Sequence, residues 1–453
     1  MSDDNQPHHQ LLNDGQQALQ RGAYRRAYDC FETVYQVAPG NITAAVGLAL
    51  AIGFSGDAEQ GIRLLYKLSE STKPHARVHD GLGMLLLNTH RFDEAEKQFR
   101  KAIRLGGNEP ALICNLGMAL NELGRFDEAA SMFKRCLRQN KSDVSARYHL
   151  GLCQLLSGDY VNGWEGFAFR NLVVGRSAPS VSEAIPCWQG EPLGDCSIVL
   201  ISEQGLGDTI QFARFAAPLA DMGARVFLRC PAALKDILLT IEGVQDVLGP
   251  DDELPELDYQ APLLDVPGIL AVKADTIVLS DGYISVPECG ITDPVLKGRG
   301  QGDLKVGLVW AGNPDNKTDY KRSLPMAELL SLLDAPGVSF YSLQAGPAQQ
   351  QLANIPETLR PADLLVPPKP LGDVASILAG LDLLISVDTA LAHLAGAMGV
   401  PVWTLISHVP DWRWQLGRDD TPWYRSMRLF RQPEIGNWRR VVVELKSALI
   451  AYR

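Results

Sequence analysis

Apolar positions in the first third of the chain recur with helical spacing, and the whole pattern repeats every 34 residues. A turn residue, usually glycine, precedes the second helix of each repeat at Gly22, Gly56, His90, Gly124 and Gly158. Two series of small residues keep the same spacing, Gly15, Ala49, Gly83, Gly117, Gly151 and Ala27, Gly61, Ala95, Ala129, Gly163. A series of large apolar residues does so too, at Phe31, Leu65, Phe99, Phe133 and Phe167. Small residues suit close helix crossings, large ones fill the layers, and the turn glycine supplies the positive φ that ends the first helix. The pattern predicts five stacked helix pairs, and the fixed period disfavours a plain helical bundle.

The periodicity stops after the fifth repeat. Ser, Pro and Gly are frequent from Asn171 to Gly194, which is typical of a linker, and Trp188 is predicted to anchor it to a domain face. Short β-branched runs then alternate with helical stretches, which predicts parallel sheets in two lobes. Strands are predicted at Ser197–Ile201, Arg225–Arg229, Gln245–Leu248, Lys305–Trp310, Val338–Leu343, Leu383–Ser386 and Val400–Leu405. Helices are predicted at Thr209–Met222, from Pro325, at Asp373–Ala379, Thr389–Met398 and Asn437–Ala451.

The predicted fold class is therefore an all-α solenoid followed by an α/β part with two lobes. The predicted domains are a solenoid over 1–170, a linker over 171–195, a first lobe over 196–298 and a second lobe over 299–453. The polar stretch Lys297–Asp303 separates the lobes. Ligands of such sheets bind beyond the carboxyl ends of the strands, so the loops after the strands are expected to line a cleft between the lobes.

Composition narrows the range of functions. The net charge of −11 argues against a nucleic-acid or anionic-membrane surface, and no apolar run reaches the roughly 18 residues of a membrane span. The start, Met1 to His9, lacks the layout of a signal peptide. The eight cysteines are scattered without a CxxC pair, so we expect thiols in a reducing cytoplasm and no metal site.

The first candidate loop follows the strand Ser197–Ile201. Gly205 and Gly207 let the backbone approach a ligand, and the following helix directs N–H groups at the cleft. Asp208 is placed to take a proton from an acceptor hydroxyl, although an Asp at a helix start also serves as an N-cap, and both roles stay open. Glu203, Gln204 and Gln211 are candidate sugar or acceptor contacts; solvated loop positions are the alternative for Glu203 and Gln204.

The second candidate is the turn in LLISVDTALAHLAG. Asp388 lies between strand and helix, and Thr389 and His393 are four residues apart on one helix face. The N–H groups that follow Thr389 can meet a phosphate, and the helix dipole contributes about 0.3–1 kcal/mol. An Asp N-cap beside a core histidine is the alternative.

The third candidate is the segment GLVWAGNPDNKTDYKRSLP. Asn313 lies in the turn after the strand, and Lys321 and Arg322 bring positive charge just before a helix that Pro325 starts. Asn313 and Lys321 are candidate contacts of the sugar donor. A guanidinium beside a diphosphate stabilises the leaving group, and Arg322 is the preferred candidate.

An aromatic loop near the end of the chain contains Trp412, Trp414, Trp423 and Tyr424 together with Asp411 and Arg413. Aromatic faces beside charges suit a sugar or a nucleobase, and Trp412 and Trp414 are candidate contacts. Simple anchoring of a long loop is the alternative.

These motifs resemble two known families. The 34-residue pattern is similar to the tetratricopeptide repeat. GLGDTIQ, VGLVWAGN, KRSLP and SVDTALAHLAGAMGVPVW resemble glycosyltransferase family nine, the heptosyltransferase family, with its GT-B fold of two Rossmann-like lobes. The resemblance implies that Asp208 is the base, that Arg322 contacts donor phosphate, and that Asp388, Thr389 and His393 frame the nucleotide sugar. Ala390 stands where the family often has Gly, which narrows the space beside the phosphate.

The repeats combined with EQGLGD, PDWRW and TPWY resemble bacterial transferases that glycosylate flagellin. The resemblance implies an inverting, metal-independent transfer from a nucleotide sugar to Ser/Thr hydroxyls of a protein acceptor, which the repeats would hold. No cofactor beyond the sugar donor is expected. Two alternatives stay open: a non-enzymatic repeat scaffold with a degenerate transferase half, and a transferase that acts on lipopolysaccharide or another polysaccharide.

Overall fold

The computed structural model describes residues 6–71, 73–277, 281–287 and 303–452. The chain forms two compact units, Met1–Cys153 and Gln154–Arg453. The predicted boundary between the two lobes, at 298/299, lies outside the described residues. None of the helices within the described ranges combines the length and the apolar content needed to cross a bilayer.

The first unit is built from paired antiparallel helices. They are α1 (Gln6–Gln20), α2 (Tyr24–Val37), α3 (Ile42–Phe54), α4 (Ala58–Ser71), α5 (Ala76–Asn88), α6 (Phe92–Arg104), α7 (Pro110–Glu122) and α8 (Phe126–Gln139), and α9 (Val144–Leu156) runs on past Cys153. The small residues lie where the sequence predicts: Cβ atoms built on Gly83 and Gly117 would lie 2.4 and 2.6 Å from the rings of Phe99 and Phe133. Only glycine therefore allows these two helix pairs to approach this closely.

The turn residues between paired helices have the predicted left-handed backbone. Gly22, Gly124 and Gly158 have φ values of 71°, 74° and 88°. His90 holds the same conformation with φ of 60°, in a region that residues with a Cβ rarely adopt. The repeat geometry thus overrides the backbone preference of the one turn residue that is not a glycine.

The second unit begins with two further helices, α10 (Tyr160–Phe167) and α11 (Arg170–Val173). The sequence places α10 in the solenoid as the second helix of the fifth repeat. In the structure it belongs to the second unit, because Tyr160 and Trp164 pack against Trp412 and Trp423 of the aromatic loop.

The first lobe contains a parallel sheet. Its strands are β1 (Ser197–Ile201), β2 (Arg225–Arg229), β3 (Val244–Leu248) and β4 (Tyr259–Pro262), in the order β3-β2-β1-β4. Its α-helices are α12 (Leu206–Ala213), α13 (Ala216–Asp221), α14 (Lys235–Leu238) and α15 (Val266–Ile269), with 3₁₀ turns at Ala232–Leu234 and Leu263–Asp265. The single helix predicted at Thr209–Met222 is thus two helices separated by Arg214 and Phe215. The strand order reverses between β1 and β4, so the carboxyl end of β1 is the expected ligand position.

The linker packs along the first lobe. The indole of Trp188 is 1% exposed, as its predicted anchoring role requires, and its backbone N–H donates to the carbonyl of Gln260 in β4 at 2.8 Å. The Gln260 side chain accepts from Val181 N and donates to the carbonyls of Ser182 and Ile185. These bonds fix the segment on the outer edge of β4.

The second lobe contains another parallel sheet. Its strands are β5 (Leu304–Val309), β6 (Val338–Ser342), β7 (Ala362–Asp363), β8 (Leu383–Val387), β9 (Val402–Ile406) and β10 (Met427–Arg431), in the order β10-β9-β8-β5-β6-β7. Its α-helices are α16 (Asp319–Arg322), α17 (Met326–Leu329), α18 (Leu371–Ala379), α19 (Ala390–Ala397) and α20 (Trp438–Ala451), with 3₁₀ turns at Pro347–Asn354 and Trp412–Trp414. The order reverses between β5 and β8. The loops after these two strands carry the predicted Arg322 and Asp388 segments, so both begin at a switch point.

Candidate active site

The Asp208 loop and the Asp388 turn face each other across the lobes. A Cβ on Gly207 would lie 2.8 Å from Cδ2 of His393 and 3.4 Å from Cα of Ala390. The sequence predicts that the backbone at Gly207 lies close to a ligand. In the structure it lies close to the first turn of α19 instead.

Asp208 occupies the third position of α12, not the N-cap. Its Oδ2 accepts from the backbone N–H of Gly205, the N-cap residue, at 3.0 Å. Its Oδ1 accepts from Nη2 of Arg413 at 2.6 Å, and its side chain is 19% exposed. The N-cap alternative for Asp208 is therefore wrong: its carboxylate accepts from the backbone N–H of the N-cap residue and forms an ion pair that reaches across to the second lobe.

Arg413 is a central residue of this site, although the sequence analysis names it only as a charged neighbour of the aromatic loop and not as a candidate site residue. Its Nε donates to Oε1 of the buried Gln211 at 2.7 Å, and its Nη1 lies 2.9 Å from Oδ1 of Asp411. Burial alone lowers the pKa of Arg413, but Asp411, Asp208 and Asp388 raise it above its ordinary value, so the guanidinium stays charged. In the sequence, Arg413 lies between two tryptophans. Burial of a cation without a partner costs free energy, so this position indicates an arginine that is paired with an acidic residue.

Asp388 lies at the end of β8 among polar and aromatic partners. Its Oδ2 accepts from Nε1 of Trp414 at 2.8 Å, and its Oδ1 lies 3.6 Å from Nε2 of His393. Burial raises the pKa of Asp388, but the hydrogen bond and charge of His393, the charge of Arg413 and the indole of Trp414 together lower it to about 2. The carboxylate of Asp388 therefore stays negatively charged at the end of β8.

His393 and Thr389 hold the turn from within the second lobe. Nδ1 of His393 lies 2.9 Å from the hydroxyl of Tyr424, and its ring stacks on Trp414 with centroids 5.3 Å apart. Thr389 is the N-cap of α19, and its hydroxyl lies 3.0 Å from that of Ser386. The N-cap interpretation of Asp388 is therefore wrong, and its carboxylate is turned to Trp414 and His393 instead.

The Arg322 segment forms a compact turn at the end of β5. Nε of Arg322 donates to Oδ1 of Asp319 at 3.0 Å, and Oδ2 of Asp319 accepts from the Ser323 hydroxyl. That hydroxyl accepts from the backbone N–H of Gly312, so the turn is tied to the strand end. β5 and β8 are neighbours in the sheet, and the basic segment therefore starts next to the Asp388 turn.

Two further residues of this segment have defined places. Oδ1 of Asn313 accepts from the backbone N–H of Asp315 at 3.0 Å and so shapes the turn. Nζ of Lys321 lies 5.9 Å from the ring centroid of Tyr320. The donor contacts predicted for Asn313 and Lys321 stay predictions.

Glu203 is buried in an ion pair. Its carboxylate accepts from the guanidinium of Arg170 in α11 and from the side-chain amide of Asn171 at 2.9 Å, and Arg170 also pairs with Asp265 at 2.6 Å. The carboxylate that the sequence predicts as a candidate sugar contact is therefore already paired with Arg170 and Asn171. Gln204, the next residue, has a left-handed φ of 62° in the turn that leads into α12.

The two candidate tryptophans have different surroundings. Trp412 is 5% exposed and packs edge-on to aromatic rings of the second unit, which favours the anchoring alternative. The rings around it are Tyr160, Trp164, Phe167, Phe212 and Trp423. Trp414 instead contacts both Asp388 and His393, so it belongs to the candidate site.

One side-chain cluster within the described residues has the composition of a metal site, and it lies in the first unit. The ligand atoms of Cys114, Cys136 and Asp143 are all within 4.8 Å of one another. Burial raises the pKa of Cys114 to about 11 and that of Cys136 to about 12, so thiolates are costly there. Structural zinc sites generally have four ligands, and these three fall one short. The expectation of a metal-independent protein stays a prediction.

Comparison with known families agrees with this architecture. Residues 325–440 match the glycosyltransferase family 9 (heptosyltransferase) model, and residues 76–105 and 114–162 match tetratricopeptide repeat models. The chain thus carries tetratricopeptide repeats and a glycosyltransferase family 9 domain. The transferase match includes Asp388, His393 and Arg413, whereas Asp208 and Arg322 lie before it.

Individual relatives are more distant. The chain is 25% identical over 320 residues to protein FlbA of Caulobacter vibrioides, an alignment that covers 65% of this chain and 53% of FlbA. The chain therefore spans about half the length of that relative.

Solved structures match the helical part. MamA from Desulfovibrio magneticus RS-1 is 14% identical with a TM-score of 0.30, over 38% of this chain and 97% of that one. TTC0263, a thermophilic TPR protein of Thermus thermophilus, is 20% identical with a TM-score of 0.30, over 34% of this chain and 84% of that one.

Proposed function

We propose that the second unit transfers a sugar from a nucleotide-sugar donor to Ser/Thr hydroxyls of a protein acceptor held by the repeats. The observation that supports this most directly is the meeting of the Asp208 loop and the Asp388 turn, in a chain with a glycosyltransferase family 9 domain. Both segments follow strands at switch points, where open parallel sheets bind their ligands.

The charges around this meeting point suit group transfer. Asp208 and Asp388 lie where the lobes meet, and Lys321 and Arg322 lie at the neighbouring strand end. Positive charge that develops on a sugar during transfer is stabilised beside carboxylates, and the departing phosphate is stabilised beside cations and helix N–H groups. Donor phosphates would thus bind toward Arg322 and the start of α19, with the sugar toward Asp208.

Asp208 would act as the base in an inverting displacement. It would take the proton of the acceptor hydroxyl while the hydroxyl oxygen bonds to the anomeric carbon and the bond to the donor phosphate breaks. Arg322 and the N–H groups after Thr389 would receive the negative charge of the leaving group.

The acceptor assignment rests on the repeats and on the resemblance to protein transferases. Stacked helix pairs form extended surfaces that bind peptide segments, and flagellin is the acceptor we propose to test first. No metal and no cofactor beyond the nucleotide sugar would take part.

The test is Asp208→Asn with purified acceptor and a panel of nucleotide sugars, followed by intact-mass analysis of the acceptor. We expect a loss of turnover of about 100-fold or more, since general-base catalysis contributes roughly 10²–10⁴-fold. Asp221→Asn, an exposed carboxylate of the same lobe, is the matched control and should leave turnover unchanged.

Three results separate the alternatives. Turnover of the Asp208→Asn variant within a few-fold of wild type would exclude Asp208 as the base. Absence of any added sugar mass with wild-type protein across the panel would favour the scaffold. Transfer to lipopolysaccharide with none to protein would favour the polysaccharide alternative.

A further inference from the structure

Two adjacent residues of one short turn contact the two aspartates of the proposed site. In the 3₁₀ turn Trp412–Trp414, Arg413 donates to Asp208 of the first lobe at 2.6 Å, and Trp414 donates to Asp388 of the second lobe at 2.8 Å. The turn therefore sets the spacing of two carboxylates that are contributed by different lobes.

Arg413 is held rigidly for this purpose. Its side chain is 8% exposed, and Asp411 accepts both from its backbone N–H and from its guanidinium. The planar fork of an arginine can then reach two acceptors in the other lobe, Asp208 and Gln211.

We infer that Arg413, a residue of the second lobe, is the positioning residue of Asp208 in the first lobe. The inference rests on the proposed function, because it takes Asp208 as the base. The guanidinium holds Oδ1 of Asp208 and the backbone N–H of Gly205 holds Oδ2, which leaves the remaining lone pairs for the acceptor hydroxyl.

A second buried arginine supplies a matched control. Arg214 also joins the lobes, since its Nη1 donates to the carbonyl of Trp423 at 2.6 Å, and its guanidinium lies over the rings of Tyr283 and Tyr424. It is as buried as Arg413, but its contacts are to carbonyls, a hydroxyl and aromatic rings. Its replacement changes lobe packing without removing the Asp208 ion pair.

The experiment compares Arg413→Gln, Arg413→Lys and Arg214→Lys in single-turnover transfer and donor-binding calorimetry. We expect Arg413→Gln to slow the chemical step about 100-fold while donor Kd changes less than about threefold, because the base is misplaced and the donor site is intact. Arg413→Lys keeps the charge but loses the fork and should recover part of the rate. Arg214→Lys should lower the thermal midpoint and leave the chemical step within a few-fold.

A double variant decides whether Arg413 acts through Asp208. In the Asp208→Asn background, Arg413→Gln should add less than about threefold, since the group that it positions is already lost. A full 100-fold further loss, or an equal loss of rate in Arg214→Lys, would overturn the inference.

A readout without turnover keeps the two proposals separable. Carbodiimide labelling of Asp208, followed by peptide mass analysis, should increase in Arg413→Gln and not in Arg214→Lys. If wild-type protein transfers no sugar, the proposed function fails while this labelling still tests the positioning. Unchanged labelling in Arg413→Gln would show that Arg413 does not hold Asp208.

Discussion

Replacing Gly207 by alanine tests the contact between the lobes most directly. The new Cβ would lie 2.8 Å from Cδ2 of His393, closer than carbon atoms pack, so one of the lobes must shift. The His393 ring cannot turn aside easily, because it is 3% exposed, hydrogen-bonded to Tyr424 and stacked on Trp414. Overpacking of this kind costs about 1–3 kcal/mol.

The same substitution also favours the helix. Gly207 lies in the first turn of α12, where alanine is preferred over glycine by up to about 1 kcal/mol. We therefore expect Gly207→Ala to lower the free energy of unfolding by about 1–2 kcal/mol in the wild-type background. In a His393→Ala background the clash is gone, and the substitution should be neutral or stabilising by up to about 1 kcal/mol. The expected coupling between the two positions is about 2 kcal/mol.

The assay is equilibrium unfolding in urea followed by tryptophan fluorescence. All eight tryptophans lie between Trp164 and Trp438, within the second unit, so the signal reports that unit alone. Comparison of the four proteins of the cycle gives the coupling free energy. An equal cost of Gly207→Ala in both backgrounds would refute the close approach of the two lobes at this point.

Three other predictions concern charge, the linker and metals. The pKa of Asp388 is lowered from 3.8 to about 2, so its contribution to stability is present above pH 4 and lost as the pH falls toward 2. Asp388→Asn should lower the free energy of unfolding, measured in urea at pH 7, by about 2 kcal/mol. The difference from wild type should be smaller at pH 3. The same difference at both pH values would contradict the negative charge assigned to Asp388. Gln260→Leu removes the bonds from its side chain to Val181 N and to the carbonyls of Ser182 and Ile185, and limited proteolysis should then cut the linker faster than in wild type; an unchanged cleavage rate would contradict the anchoring. Dialysis against EDTA should leave transfer unchanged, and a loss that Mg²⁺ or Mn²⁺ restores would contradict metal independence.

The sequence predicts the central strands and the edge strand β3 well, but it misses the other three edge strands. β1 and β2 match their predicted bounds, and β8 differs by one residue, because buried parallel strands are continuous apolar runs. β4, β7 and β10 were missed: β4 contains Gln260 and ends in Pro262, β7 has two residues, and β10 is flanked and interrupted by arginines. These three edge strands lack the continuous apolar pattern that identifies the central ones.

The candidate site shows the same division between local and distant information. A carboxylate after a strand and before a helix is a local pattern, and it led to Asp208 and Asp388. The partner of Asp208 is 205 residues away in the chain, and the partner of Glu203 is 33 residues away, beyond the linker. Pairings at such separations depend on the tertiary fold, which is why the sequence does not identify the partners of Arg413 and Arg170.

The helices α10 and α11 restrict how such a chain can be recombined. Repeats are modular, and whole units can be gained or lost during evolution without disturbing their neighbours. Here the last helix that follows the repeat rhythm packs its aromatic side chains on the loop that carries Arg413, and α11 supplies the partner of Glu203. Insertion, deletion or exchange of repeats is thus tolerable only upstream of about residue 154, and a transferase excised at the end of the linker would lose part of its own interior.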